Sequence, residues 1–146
     1  MKWSGLTCKW IIDAGASSPM SCHWNWFHTY QEISPPKKVW LGNDHYILAK
    51  GIGQLHLKMN LEGGKKGLTI IRSAYYIPNI SGNLLSVSYL LKQGFSINFN
   101  NDECRILCNK DQELCEIAEE VASLFILKAK PVIQERIHFS YNERTK

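Results

Sequence analysis

The sequence predicts an all-β domain with one short helix, and three observations carry that prediction. Apolar and polar residues alternate: Leu55, Leu57 and Met59 against Gln54, His56 and Lys58, and again at Phe95, Ile97 and Phe99. A period of two sets one face of a strand in a core and the other in water. Gly, Asn, Asp and Pro punctuate these segments at short intervals, as chain reversals between strands require. Only one stretch breaks the pattern. Leu84, Leu85, Val87, Leu90 and Leu91 are spaced as on a helix, which places it near residues 84–93 with Gly94 as its stop.

Taken in order, Trp10-Ile11-Ile12 is a short apolar strand that ends on Asp13, and Gly15 turns the chain sharply after it. Ser34-Pro35-Pro36-Lys37-Lys38 reads as a linker-like break. Val39-Trp40-Leu41 and Tyr46-Ile47-Leu48 flank Gly42-Asn43-Asp44-His45, a hairpin signal. Gly51-Ile52-Gly53 predicts a bend or bulge. Residues Gly63 to Gly67 form an exposed turn, and Leu68 to Ile77 is the return strand, stopped by Pro78-Asn79. Asn100-Asn101-Asp102 turns the chain into Cys104 to Cys108. Two readings stay open beyond that point. Leu114, Ile117, Val121, Leu124 and Phe125 fit an amphipathic helix, while Leu124 to Leu127 fits a strand equally well. From about Val132 the core-forming pattern fades into a loose basic tail.

The chain has 146 residues, 45% of them hydrophobic and 21% charged, which suits a single folded core rather than a disordered segment. The net charge of +4 comes from scattered lysines and the tail, so it predicts solvation rather than a nucleic-acid surface. Five cysteines, no secretory signal and no apolar run of membrane-spanning length predict a reduced intracellular protein. Cys104, Cys108 and Cys115 have no histidine at finger spacing, so buried thiols are expected and no metal. Ser17 and Ser21 lack the context of an activated nucleophile, and Cys22 beside His23 cannot face it as a catalytic partner. Gly51-Ile52-Gly53 is not followed by the helix and lysine of a phosphate loop.

Asp13 remains as the candidate chemical group. An Asp-x-Gly turn alone is common and mostly structural. Here it is followed by a glycine-tipped hairpin and then by Asn83-Leu84-Leu85, in that order, within about one hundred residues. Four segments together resemble the aspartic-protease region of copia-type retrotransposon Gag-Pol polyproteins. They are Trp10 to Met20, Val39 to Asn43, Gly51 to Gly53, and Tyr76 to Val87. Asn79 to Val87 followed by Gly94 to Phe99 also resembles the end of retroviral proteases. The likeness spans roughly Trp10 to Cys108, and Leu124 to Leu127 looks like the start of the pre-integrase segment.

The resemblance implies a retropepsin-like closed β-barrel over residues 1–108, with a flap hairpin and the helix near 84–93. Residues 109–146 would begin a pre-integrase-like segment. It implies an aspartic endopeptidase that processes a polyprotein as a homodimer, each subunit supplying one aspartate. Asp13 would be catalytic, Ala14, Gly15 and Ala16 would form the active-site turn, and Leu41, Gly42, Asn43 and Asp44 the flap. The implied partners are a second copy and an extended polypeptide, with no membrane, no nucleic acid, no cofactor and no metal. The implied location is cytoplasmic, including virus-like particles. Two positions depart from the pattern. Ala14 stands where the family has Ser or Thr, whose hydroxyl braces the two active loops, and Pro19 stands where it has His. With neither a zinc knuckle before it nor an integrase after it, the chain is expected to be a fragment or relic. The alternative function is an inactive relic that serves as a binding module. A third is a nucleic-acid barrel stacking bases on Trp24, Trp26 and Trp40, against which core packing of the tryptophans is expected.

Overall fold

The computed structural model describes residues 9–41, 44–60, 64, 66–108, 113–121 and 124–133. Strand β1 (Lys9–Asp13) buries Trp10, Ile11 and Ile12 in succession. A strand apolar on both faces belongs inside a sheet, with a neighbour on each edge. Strand β6 (Asn83–Ser86) runs parallel on one side and β10 (Leu124–Lys128) antiparallel on the other. Strand β2 (Met20–Ser21) links β6 to β5 (Lys66–Tyr76). Strands β3 (Phe27–Leu41) and β4 (His45–Asn60) make a long hairpin, and β5 returns along β4. Strands β7 (Phe95–Phe99), β8 (Glu103–Cys108) and β9 (Glu113–Val121) form a second meander that reaches β10. Of the two readings open beyond residue 108, the strand is the one that forms. Finally β11 (Lys130–Pro131) pairs with β4.

The all-β class holds, but the closed barrel does not. Among the described residues the sheet order is β11-β4-β5-β2-β6-β1-β10-β9-β8-β7, with β3 attached to β4 alone, so the ladder ends at β11 and β7. Proline explains part of this. Pro35 and Pro36 in β3 and Pro131 in β11 have no N–H to offer a further strand. Between β10 and β11 stands the single buried residue Ala129. The covalent chain, not a hydrogen-bonded ladder, thus joins the flank of β1 to β4.

The helix is also shorter than its periodicity predicts. Asn83 to Ser86 form β6, and α1 covers only Val87–Lys92. Leu84 and Leu85 suit either state, and pairing with β1 and β2 decides for the strand. Gly94, at φ 96°, follows the helix as expected. The linker-like Ser34–Lys38 lies inside β3, where a cis Ser34–Pro35 bond falls in a register shift between Glu32 and Lys37. The bulge expected at Gly51–Gly53 is a shift between Gly53 and Leu55, where the Thr29 carbonyl leaves no room for a side chain on Gly53.

Two apolar clusters form. The larger gathers Trp10, Phe27, Leu55, Ile71, Leu85 and Leu127 among others. The smaller holds Ala16, Met20, Val39, Ala49 and Ile77. No helix among the described residues is long and apolar enough to cross a membrane.

Candidate functional site

Asp13 is the last residue of β1 and stands beside Ser86, the last residue of β6, in the parallel register. Both strands sit in the middle of the sheet, so the carboxylate is carried on a rigid base. It is half-buried, and the Gly15 N–H donates to its Oδ1 at 2.8 Å. That bond closes the turn predicted for Asp-Ala-Gly. A Cβ on Gly15 would come within 3.3 Å of the same oxygen, so glycine leaves the carboxylate its space. Ala14 and Gly15 are exposed, and Ala16 is buried in the smaller cluster.

Ser86 holds the far side of this turn. Its buried Oγ donates to the Ala16 carbonyl at 2.7 Å and accepts from the Tyr89 N–H at 3.1 Å. The second bond caps α1. One hydroxyl therefore ties the aspartate turn to the first turn of the helix. A second buried pair lies one strand away. Ser21 Oγ donates to Asn83 Oδ1 at 2.6 Å, and Asn83 Nδ2 donates to the Lys9 carbonyl at 3.0 Å. It locks β2, β6 and β1 together. Ser86 and Asn83 stand in the motif Asn79 to Val87, but the sequence assigns neither of them a bonding role. Their partners lie 70 and 62 residues away, and no local pattern marks such pairs.

The hairpin of β3 and β4 reaches the end of this turn. Residues 45–50 of β4 extend past β5 and pair with β3 only, giving a two-stranded arm. Its inner residues Val39 and Ala49 pack with Ala16, just after the aspartate turn. Leu41 pairs with His45 in the backbone register, and Asp44 is exposed at φ 61°. Gly42 and Asn43, also expected in the flap, lie outside the described residues. A shallow cavity of about 130 Å³ is lined by Ile80, Ser81, Gly82, Asn83 and Leu84. Asp13 does not line it.

The remaining candidates separate cleanly. Trp26 is buried against Trp10, Trp24 is half-buried against Tyr30, and Trp40 is exposed. The His56 ring stacks on His28 with their centroids 3.6 Å apart. Burial pushes its pKa down, and the charge of His28 pushes it further. His23 stacks on Trp26, and burial lowers its pKa too. Cys104 is buried in the larger cluster, which raises its thiol to about 11 and keeps it protonated. The side chains of Cys8, Cys108 and Cys115 lie outside the described residues.

A family model described as "Pol polyprotein, beta-barrel domain" matches residues 10–95. That stretch runs from β1 through α1 to the first residue of β7, and includes Asp13, the arm and Ser86. No curated protein and no solved structure matches the chain.

Proposed function

Because the chain belongs to the family of Pol polyprotein β-barrel domains, we propose that it is the aspartic-protease module of a copia-type retrotransposon polyprotein, acting as a homodimer. One observation carries the reading. Asp13 ends a central strand, with one carboxylate oxygen fixed by the Gly15 N–H and an arm packed with Ala16 at the end of the turn. A half-exposed carboxylate on a rigid strand, beneath a hairpin able to lift, suits work on an extended peptide. In the dimer the two Asp13 carboxylates meet at the two-fold axis and share one proton. The ionised carboxylate takes a proton from a water as that water attacks the scissile carbonyl carbon. The protonated one donates to the carbonyl oxygen, and no covalent enzyme intermediate forms.

Ala14 favours a second reading, an inactive module that binds without cleaving. Its exposed methyl cannot bond across a dimer. Two variants decide. Asp13→Asn should abolish cleavage of a polyprotein fragment by the purified chain, and equal cleavage by parent and variant would exclude the aspartic mechanism. Ala14→Ser should raise both the dimer fraction in sedimentation and the turnover. If the parent and Ala14→Ser are both silent, the binding-module reading takes its place.

A further inference from the structure

The arm has two faces, and the candidate site uses only one. Val39 and Ala49 point inward to the smaller cluster. Alternation puts Lys38 and Trp40 of β3, with Tyr46, Leu48 and Lys50 of β4, on the opposite face. All five are exposed, Trp40 to 61% and Tyr46 to 46%. The register sets Trp40 opposite Tyr46 and Lys38 opposite Leu48. The two rings meet edge to face at 5.1 Å, and Lys38 Nζ lies 4.7 Å from the centre of the Tyr46 ring.

We propose that this outer face of the arm binds single-stranded nucleic acid. A single strand asks for two things together, ring faces on which bases stack and cations that follow the phosphates. This face supplies both within five residues of two paired strands. The core of a protein-protein interface is instead depleted in lysine, whereas here Lys38 and Lys50 follow the ring pair in turn along the arm, on the side away from its tip. Lys38 and Lys50, apart in the sequence, are brought to one face by the pairing of β3 with β4. The surface lies on the side of the arm turned away from Ala16, so it stands apart from any peptide held near Asp13, and the proposal does not depend on the protease reading.

The test is a fluorescence titration of the full chain with a labelled oligouridine, at low and moderate salt, using the same chain as control at each step. Binding should weaken as salt rises, with a logarithmic slope of about 0.7 per phosphate contact. Trp40→Ala should lower affinity between about fivefold and a hundredfold, Trp40→Phe should retain most of it, and Lys38→Ala with Lys50→Ala should flatten the salt slope. Because these side chains are exposed, the thermal midpoint should not move, which separates lost binding from lost folding. Asp13→Asn should bind like the parent. Absence of binding at low salt overturns the proposal. So does binding indifferent to Trp40, tighter binding to a duplex of the same length, or equal competition by polyglutamate, the sign of an acidic-peptide surface.

Discussion

The centre of the sheet and the arm are built on opposite terms. At the centre, Ser21, Asn83 and Ser86 are fully buried, and each polar side chain finds a partner on a different strand or loop. Trp10 is the exception, its buried indole N–H having no partner among the described residues. The arm buries only a narrow inner row and leaves aromatic rings in water. A group that must be held still is mounted where each bond is backed by another. A surface that must meet something else is mounted where little else depends on it. Stability and function should therefore respond differently to substitution in the two regions.

The sharpest way to break the contrast is at Asn83. Asn83→Ala removes the acceptor of the buried Ser21 hydroxyl and the donor to the part-buried Lys9 carbonyl, and should cost about 2–5 kcal/mol in chemical denaturation. A loss below about 1 kcal/mol would mean that the centre tolerates orphaned groups as the surface does. Ser86→Ala should cost less, about 1–2 kcal/mol, from the helix cap and the bond to Ala16. Hydrogen exchange should quicken at the residue 13–16 turn as well as in α1, and a response confined to the helix would show that Ser86 does not brace the aspartate.

The smallest effect belongs to the end of the β3–β4 pairing far from the arm, where His28 and His56 stack across the two strands. The folded-state pKa of His56 lies below its ordinary value near 6.5, so the unfolded chain takes up the proton first. Its contribution is complete above that value and is lost as pH falls through it toward the lower folded pKa. His23 acts in the same direction. Thermal midpoints should drop on acidification from pH 7 to pH 5, and His56→Gln should soften that slope. A slope unchanged in the variant would assign the acid sensitivity elsewhere.

Local chemistry explains what could be read beforehand. The Asp13 turn, the hairpin about residues 41–45 and the glycine bulge are each fixed by a few adjacent residues, and they stand where the pattern put them. What escaped depends on distant partners. Asn83-Leu84-Leu85-Ser86 looks helical until β1 and β2 are brought alongside. The link from Ser86 to Ala16 joins segments with no common signature. Closure of the sheet could not be read because it turns on which edges find a partner, and proline withholds donors from two of them. Even the lysines of the arm take on meaning only across the register.

The register Lys9 opposite Lys128 has one more consequence. The first residue of the strand bearing Asp13 and the last residue of β10 thus hold each other, so fraying at either strand end would loosen the other and, through it, the base of the aspartate.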